Sequence, residues 1–600
     1  MRQPLAREHR SQLERTVIKA RDIAEQAVRE ELHRLGIGER KAADYLTEEQ
    51  RSLRNRLRVH GRQIGDRRKP TGEQSIEHLV TETAYEHWHR MLFARFLAEN
   101  NLLMYEDGVT ALAIQDCFDL AEEETGDSSN GWQYAAGYAA KMLPQIFRID
   151  SPVFEISLPP NHQQQLEQLL ASLAEATFQA QDSLGWVYQF WQSKKKEAVN
   201  KSEVKIGADE LPAVTQLFTE PYMVSFLLDN SLGAWWVSNH ADKPRPVPLE
   251  YLRTLEDGTP AAGSFEAWPK NLSELKVLDP SCGSGHFLVE ALLMLVPMRL
   301  AVENLTAREA VDAVLSDNIH GLELDQRCVE LAAFALALTA WSYPDAGGYR
   351  LLPELHIACS GLSVSVGKEE WKKLALDKHN LRIALDWMHE SFKQAPVLGS
   401  LINPAKTNAA SIVEWDELSA TLEQALAQDQ SDEQHEVGVV AQGLAKSASL
   451  LARKYHWVIT NVPYLKRGKH NQILRDFCEI NYPSAKNDLA TVFLDRCLEF
   501  CEEGGTTSVV LPQNWLFLTS YKNFREKLLI QDTWQMIARL GAGAFETISG
   551  EVVKAILLIM SRGNHAGSGI FENKLVENWI HGLDVSESRS VAEKAVDLMS

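Results

Sequence analysis

The sequence has no apolar run near the roughly 20 residues that a membrane-spanning helix requires, so a membrane protein is not expected. Its seven cysteines are scattered without a Cys-x-x-Cys pair, which argues against a zinc site and against a disulfide framework. The first residues are charged, and no apolar signal region follows them. We therefore expect a cytoplasmic protein without a bound metal.

Positive charge is also scarce, because 61 Lys and Arg face 82 Asp and Glu for a net charge of −21. The basic residues are nonetheless concentrated, since residues 1–70 carry 18 of them against 11 acids. Within that stretch, Arg51–Lys69 holds eight basic residues and one acid. A local positive field can bind phosphate even on an acidic chain. Two interpretations stay open for this segment, a phosphate-binding patch and a solvated arm.

The first 200 residues predict a mostly helical domain without recognisable catalytic residues. Helical patterns occur at 8–35, 74–105, 162–178 and 183–194. The aromatic side chains of 74–105, together with Arg90 and Arg95, could form a nucleic-acid surface. An aromatic stripe at helical spacing is more often core, and this is the interpretation we favour.

A different pattern follows the polar connector at 200–212. Strand-like segments alternate with helical ones, which predicts an α/β domain with a parallel sheet and not a helical bundle. The expected strands are 275–279, 318–323, 355–358, 456–460, 506–512, 534–540 and 552–560. The last two, joined by a loop with Gly541, Gly543 and Gly550, predict an antiparallel hairpin. The polar segment 366–453 is expected to be a helical insertion that interrupts the sheet domain without contributing to it.

One stretch, Lys276–Phe287, predicts a buried strand, a turn containing Gly283 and Gly285, and the start of an apolar helix. A strand, a glycine-rich turn and a helix in this order bring backbone close to a nucleotide-like ligand in α/β proteins. Glycine leaves the space that a β-carbon would fill. Alone, the stretch fits an ordinary tight turn equally well, so its meaning depends on the rest of the chain.

Three further features stand around this loop. Glu323, at the end of the second strand, could accept hydrogen bonds from ribose hydroxyls, whereas Asp325 fits a helix N-cap better. The turn Asn461-Val462-Pro463-Tyr464 offers an amide oxygen, a backbone carbonyl and an aromatic face, which together suit a planar base with an exocyclic amine. By itself that turn also fits an ordinary proline-containing loop. The segment Phe218-Thr219-Glu220-Pro221 opens a helix and could close over a bound ligand.

The motifs Phe-Thr-x-Pro, Asp-Pro-x-Cys-Gly-Ser-Gly, Gly-x-Glu-x-Asp and Asn-x-Pro-Tyr, in this order, resemble the S-adenosylmethionine-dependent DNA methyltransferases that act on adenine N6. The resemblance covers residues 211–562 and implies a class I Rossmann-like domain with about seven strands, mostly parallel and one antiparallel. Residues 184–191 and 212–219 are similar to the large methyltransferases of bacterial phage-defence systems of the BREX and DISARM types. Their helical N-terminal domain would match residues 1–200.

The resemblance also implies a role for each motif. The glycine loop would lie against the methionine part of the cofactor S-adenosylmethionine, Glu323 would hold its ribose, and Ser360 would sit near its adenine. Asn461 and the Val462 carbonyl would accept hydrogen bonds from the target amine, and Tyr464 would stack on the flipped base. The implied cofactor-binding residues are Phe218, Thr219, Pro221, Asp279, Pro280, Cys282, Gly283, Gly285, Phe287, Glu323, Leu324, Ser360 and Asn461, and the implied catalytic residues are Asn461, Val462, Pro463 and Tyr464.

The sequence departs from the family pattern at two positions. Val462 stands where the family usually has proline, and Ser360 stands where it often has an acid. Three alternatives to adenine methylation stay open. They are methylation of cytosine N4, methylation of RNA or protein, and a cofactor-binding sensor or scaffold with weak or no catalysis.

The implied partners are double-stranded DNA and other subunits of a phage-defence system. The sequence contains no clustered Asp…Glu-x-Lys nuclease core and no Gly-x-x-x-x-Gly-Lys loop, so restriction by this chain alone is not expected. Residues 563–600 would begin a C-terminal region, and a target-recognition domain is not recognisable. We expect a longer protein or a partner to supply recognition.

Overall fold

The structure is a computed structural model that describes residues 4–144, 151–180, 182–202, 204–362, 364, 371, 379–406, 432–546, 553–563 and 580–599. Part of the expected insertion lies outside these residues, including Glu423 and Asp429 of its acidic run. Gly550 of the expected hairpin loop also lies outside them.

Helices account for the regular structure that precedes the sheet, and they also flank each side of it. Before the first strand they are α1 (Arg7–Arg34), α2 (Glu48–Gln63), α3 (Glu77–Glu99), α4 (Ile114–Thr125), α5 (Gly131–Met142), α6 (Pro160–Ala171), α7 (Glu175–Gln179), α8 (Ser183–Lys201), α9 (Leu211–Thr215), α10 (Pro221–Leu228) and α11 (Ala234–Asn239). Within and after the sheet they are α12 (His286–Val302), α13 (Ala307–Asp317), α14 (Gln326–Ser342), α15 (His379–Phe392), α16 (Ala395–Leu398), α17 (Asp432–Ala452), α18 (Gln472–Asn481), α19 (Leu489–Phe500), α20 (Lys522–Gln531) and α21 (Val591–Met599).

The aromatic helix α3 is core, as its spacing predicted. Tyr85, Trp88 and Phe96 are at most 1% exposed. Arg95 pairs with Glu99 at 2.5 Å on the same helix and does not face outward as part of a cationic stripe. The alternative of a nucleic-acid surface on this helix is therefore wrong, because the rings that would stack on bases are buried.

The basic segment Arg51–Lys69 is neither a continuous phosphate-binding patch nor a solvated arm along its whole length. Arg54 and Arg58 are buried, and their guanidinium groups donate to backbone carbonyls of the 36–39 turn. Arg56 forms an ion pair with Glu155. The guanidinium groups of these three arginines thus hold helix α2 to neighbouring segments, and those of Arg54 and Arg58 satisfy backbone carbonyls that would otherwise lack a donor.

The sheet has eight strands within the described residues, in the order β3-β2-β1-β4-β5-β7-β6-β8. The strands are β1 (Val277–Asp279), β2 (Ile319–Glu323), β3 (His356–Cys359), β4 (Tyr455–Asn461), β5 (Cys501–Pro512), β6 (Thr533–Gly541), β7 (Ala555–Ser561) and β8 (His581–Asp584). Strand β7 is antiparallel to both of its neighbours, and the other pairings are parallel. The expected α/β Rossmann-like sheet and its one reversed strand are confirmed.

The eighth strand, β8, is the addition that the sequence did not predict. It is four residues long, lies at the sheet edge beside β6, and alternates half-buried and exposed residues. Such a short, polar edge strand carries almost no hydrophobic pattern, so its position is set by pairing with β6.

Both faces of the sheet are covered. Val277 packs in one hydrophobic cluster together with the N-terminal helices and with α12 and α14. Leu278, the next residue of β1, packs in the other cluster with α17 and α19. Because successive side chains of a strand point to opposite faces, one apolar residue after another is buried, as in parallel sheets covered by helices.

The expectation that segment 366–453 contributes nothing to the sheet domain is wrong. Helix α17 buries Ala441, Leu444 and Ala448 in the same cluster as Leu278 of β1. Lys446 on this helix donates to the Leu355 carbonyl just before β3, at 2.9 Å. The residues of α17 that do not face the sheet are half-buried, whereas its other face covers the sheet.

Candidate active site

An open cleft of about 950 Å³ lies at the carboxyl ends of the central strands. Asp279, Glu323 and Asn461 all line it, and each is the last residue of its strand, β1, β2 and β4. Strand β1 lies between β2 and β4. The chain adds β2 and β3 on one side of β1 and then crosses over to add β4 on its other side. Ligands of open α/β sheets bind outside the strand ends at such a switch point.

Most of the residues predicted for the cofactor and the base converge on this cleft. Those that line it are Phe218, Thr219, Asp279, Pro280, Cys282, Gly283, Phe287, Glu323, Leu324, Asn461 and Pro463. Those that do not are Pro221, Gly285, Ser360, Val462 and Tyr464.

The glycines of the loop after β1 are required by their surroundings. Gly283 has φ +53° and Gly285 has φ +85°, which are left-handed values that favour glycine. A β-carbon on Gly285 would also lie 3.0 Å from the Cα of Ala332 in α14. Gly285 therefore lies behind the cleft and allows α12 to start against α14, while Gly283 forms part of the wall.

Glu323 is fixed by the backbone around it. Its Oε2 accepts from the Gly283 amide at 2.8 Å, and its Oε1 accepts from the amides of Leu324 at 2.7 Å and Asp325 at 3.3 Å. Burial raises the pKa of Glu323 to about 7, against the opposing effect of these amides. A carboxylate offers about four acceptor positions, so capacity remains for a ligand in the cleft.

Asp279 presents a buried oxygen without a partner. Its Oδ1 accepts from the Ser281 amide at 3.1 Å, whereas Oδ2 has no donor in hydrogen-bonding geometry, and the Thr460 hydroxyl is likewise unpaired. Burial raises the pKa of Asp279 to about 7, although the nearby Thr460 hydroxyl and the Ser281 amide oppose this shift. A ligand that brings an N–H group or a positive charge to this wall would satisfy the oxygen.

Asp325 caps helix α14, as its sequence position predicted. Its Oδ1 accepts from the Arg327 amide at 3.1 Å, and its Oδ2 pairs with the Arg327 guanidinium at 2.6 Å. The Tyr188 hydroxyl of α8 donates to the same Oδ2. Glu323 and Asp325 are thus divided between two tasks, with Glu323 at the cleft and Asp325 joining α14 to an N-terminal helix.

The Asn461 side chain connects two of the predicted motifs. Its Nδ2 donates to the Thr219 hydroxyl at 3.1 Å, and its Oδ1 accepts from the Tyr464 hydroxyl at 2.9 Å. Val462 is 2% exposed and its amide donates to the Val510 carbonyl of β5 at 3.3 Å. The turn is therefore anchored to the sheet on one side and to the 218–221 segment on the other.

Ser360 and Pro221 lie away from the cleft surface. Ser360 is fully buried, and its hydroxyl donates to the Glu323 carbonyl at 3.1 Å and lies 3.2 Å from the Ser400 hydroxyl. Ser400 in turn donates to the Pro280 carbonyl at 2.6 Å. Pro221 starts α10, where a missing amide costs nothing.

Phe218 is held by the N-terminal helix α8. Its amide donates to the Gln189 side-chain oxygen at 3.0 Å, and its ring lies 4.6 Å from the Trp186 ring. On the other side the ring stacks on His286 at 5.0 Å with an angle of 4°. Burial lowers the pKa of His286 to about 4, so this imidazole is neutral near pH 7.

Besides immediate neighbours of the predicted motifs, three groups of cleft residues from distant elements were not predicted from the sequence. Gly185 and Gln189 come from α8, residues 397–401 come from the expected insertion, and Leu489 and Phe493 come from α19. Each reaches the cleft through long-range packing, which leaves no local pattern. The combination Leu-Gly-Trp at 184–186 was the one usable signal, since a glycine amid large apolar residues indicates a close approach.

Two family models match the chain across this site. One, the Eco57I restriction-modification methylase, matches residues 317–545. The other, the DNA-methyltransferase domain of MmeI, matches residues 256–345. Together they cover the glycine loop, Glu323 and the Asn461 turn.

Curated relatives extend the similarity into the N-terminal helices. The adenine-specific methyltransferase BrxX of Escherichia coli O9:H4 (strain HS) is 29% identical over 83% of this chain and 45% of its own length. The adenine-specific methyltransferase PglX of Lacticaseibacillus casei (strain Zhang) is 25% identical over 85% and 46%. The chain resembles adenine-specific methyltransferases. The resemblance expected from the motifs is confirmed, and the chain spans about half the length of these relatives.

Among solved structures, DrdV in a cryo-EM complex with DNA overlaps 99% of this chain and 45% of its own, with 12% identity and a TM-score of 0.45. The fold assignment stands on the strand order and not on this overlap. No helix within the described residues is long and apolar enough to cross a membrane. In the same part of the chain no group of three His, Cys, Asp or Glu side chains could hold a metal ion.

Proposed function

We propose that the chain transfers a methyl group from S-adenosylmethionine to the N6 amine of a flipped adenine in double-stranded DNA, as the modification component of a bacterial phage-defence system. The observation that supports this most is the meeting of Asp279, Glu323 and Asn461 on one cleft. The first two suit the donor molecule, and the third suits an aminated base. The relatives named adenine-specific methyltransferases favour adenine over cytosine.

The residues of the cleft fit S-adenosylmethionine. The unpaired Oδ2 of Asp279 would accept from the α-ammonium group, and the one remaining acceptor position of Glu323 would accept from a ribose hydroxyl. The left-handed Gly283 leaves the wall without a side chain where the methionine part would lie. When bound, the sulfonium supplies an electrophilic methyl group with a good leaving centre.

The Asn461 turn would hold the target amine. Its Oδ1 carries two lone pairs, and the Tyr464 hydroxyl occupies one of them, so one remains for an amine hydrogen. The Val462 carbonyl would accept the second hydrogen. Accepting both hydrogens increases the lone-pair character of the amine nitrogen, and alignment with the methyl group supplies most of the remaining rate enhancement.

We also propose that residues 1–200 form a helical domain and that 211–562 form the methyltransferase domain. The packing of Phe218 against α8 supports a working unit made of both. No residue of the chain is assigned to sequence recognition, and double-stranded DNA and other defence subunits are the proposed partners.

Methyl transfer from labelled S-adenosylmethionine to unmethylated bacterial DNA, followed by digestion to nucleosides, tests the proposal. We expect labelled N6-methyladenine from the wild type and none from Asn461→Ala. The matched control is Asn481→Ala, which removes an exposed asparagine at the end of α18 and is expected to leave the yield unchanged. Labelled N4-methylcytosine would contradict the choice of base. Cofactor binding without transfer to any substrate would support a scaffold instead.

A further inference from the structure

The loop after β5 exposes two neighbouring apolar side chains. Phe517 is 62% exposed and Leu518 is 51% exposed, while Trp515 beside them is 2% exposed. Buried Trp515 packs on Trp534 of β6, with ring centroids 5.7 Å apart. The loop is therefore anchored to the protein by one large side chain while it presents two others to solvent.

The loop that exposes this pair is held in place by hydrogen bonds. The Arg525 guanidinium donates to the carbonyls of Trp515 at 2.6 Å and Leu518 at 2.8 Å. The Leu518 amide donates to the Asn514 carbonyl at 3.1 Å. A loop fixed in this way keeps both apolar side chains largely exposed, although the Arg539 guanidinium lies 5.7 Å from the centroid of the Phe517 ring. Paired large hydrophobic residues held outward in this way indicate a binding surface.

This loop borders the Asn461 turn. Asn461 pairs with Val510 in the parallel ladder of β4 and β5, so both loops leave the same edge of the sheet. The Asn487 side chain donates to the Ser520 carbonyl at 3.5 Å, and the Asn487 carbonyl accepts from the Arg467 amide at 3.0 Å. These hydrogen bonds connect Ser520, which follows the exposed pair in the chain, to Arg467, which follows Tyr464.

Positive charge lies on the segment that follows the Asn461 turn. Lys466 and Lys469 are exposed, and within the described part of the chain neither ammonium group forms a direct ion pair, although Lys466 interacts electrostatically with the Asp488 carboxylate. Exposed lysines without a direct ion pair are notable on a chain whose net charge is −21. Cations beside a small apolar pair suit a nucleic-acid duplex, which carries charged phosphates on the outside and stacked bases between them.

We propose that Phe517 and Leu518 enter the base stack of a DNA duplex beside the extruded base, with Lys466 and Lys469 on the flanking phosphates. The inference rests on the proposed function, since it assigns the duplex as the substrate at the same cleft. A two-residue apolar patch is too small for a stable protein interface, which needs about 800 Å² from each partner. It does match the apolar wedges with which proteins fill or kink a base step.

The wedge is tested by fluorescence anisotropy with two labelled 30-base-pair duplexes that differ only in one central abasic site, in the presence of the unreactive cofactor analogue sinefungin. An abasic site removes part of the unstacking cost and leaves a gap, so the wild type is expected to favour it about fivefold or more. The double variant Phe517→Ala/Leu518→Ala is expected to lose that preference. Leu529→Ala, which removes a 53% exposed leucine from α20, is the matched control and is expected to keep it.

The lysines are tested by the salt dependence of duplex binding. Lys466→Ala/Lys469→Ala is expected to reduce the slope of log affinity against log salt by about two, because each lysine displaces roughly one counterion. Lys201→Ala, whose ammonium pairs with Glu197, is expected to leave the slope unchanged.

Three results separate the possible outcomes. An unchanged abasic preference in the Phe517→Ala/Leu518→Ala variant would overturn the wedge. A loss of self-association in that variant, with unchanged duplex binding, would overturn it in favour of a protein contact. If the wild type shows the expected binding pattern but yields no methylated nucleoside, the proposed reaction fails while the duplex surface stands.

Discussion

Gly185 and Phe218 lie so close that a β-carbon on Gly185 would fall 2.3 Å from the Cε2 atom of the phenylalanine ring. Gly185 belongs to α8 of the N-terminal region, whereas Phe218 lines the cleft at the ends of the strands. The contact makes the position of the 216–219 segment depend on a helix that carries no proposed catalytic residue.

Gly185→Ala is expected to weaken cofactor binding by about tenfold or more. The added methyl group must push Phe218 out of its place, and overpacking of this kind costs about 1–3 kcal/mol. Calorimetric titration with S-adenosylmethionine or sinefungin measures the effect. Gly137→Ala is the control, because its new β-carbon meets no atom within 4 Å in helix α5. An unchanged cofactor affinity in Gly185→Ala would contradict the role of the contact.

Cofactor affinity is expected to rise about tenfold between pH 6 and pH 8. The pKa of Asp279 is raised to about 7 in the ligand-free protein, and only its ionised form pairs with an ammonium group. The raised pKa also stabilises the ligand-free fold, fully below the unfolded pKa of about 3.8 and progressively less as the pH rises through 7. Stability and affinity therefore change with pH in opposite directions.

Asp279→Asn tests this assignment, because the amide cannot titrate. We expect titrations of the variant at several pH values to show a nearly flat affinity. Glu323→Gln is the comparison variant, since Glu323 would face neutral hydroxyls, and most of the pH dependence is expected to remain in it. A pH dependence that disappears in Glu323→Gln and persists in Asp279→Asn would reverse the two roles.

Tyr188→Phe is expected to lower the free energy of unfolding by about 1.5–3 kcal/mol. The substitution removes the hydroxyl that donates to the buried carboxylate of Asp325, and a hydrogen bond to a charged group is worth about that much. Urea denaturation measures it. Tyr134→Phe is the control, since its hydroxyl bonds to Glu124 at an exposed site, where the loss is expected to be within about 0.5 kcal/mol.

Arg58→Ala is expected to destabilise the fold by about 1–3 kcal/mol, because it leaves the buried carbonyls of Ile37 and Gly72 without the guanidinium that donates to them. Nonspecific duplex affinity is expected to stay the same at a temperature where the variant is folded. Arg51→Ala removes an exposed cation from the same helix and provides the comparison for stability. A loss of DNA affinity in Arg58→Ala without a loss of stability would restore the phosphate-binding interpretation of this segment.

The sequence was sufficient for features that depend on local chemistry. Gly283 and Gly285 sit in a turn that allows little else, and Asp325 precedes a helix whose first amides need an acceptor. Residues at the ends of parallel strands must share an edge, so Asp279, Glu323 and Asn461 could be placed together before the structure was known. Helix α3 was recognised as core because its aromatic residues recur at helical spacing.

The tertiary structure alone decided which side chains complete the cleft. Gly185 and Ser400 are distant in sequence from the glycine loop. The glycine amid large apolar residues at 184–186 indicates a close approach but not its partner Phe218, and nothing near Ser400 indicates its contact with Pro280. Ser360 was expected near the cofactor but is enclosed behind the wall by the hydroxyl of Ser400.

Local sequence patterns indicate the periodicity of a helix or strand and the residue types at its ends. Packing between elements depends on shape across the whole chain. For this protein the sequence by itself determined seven of the eight described strands, the glycine loop and the residues at the strand ends. The tertiary structure decided that an N-terminal helix and part of an apparent insertion close the cleft. Their buried surfaces fit segments that are far away in the sequence, and no local pattern indicates which segments will pack together.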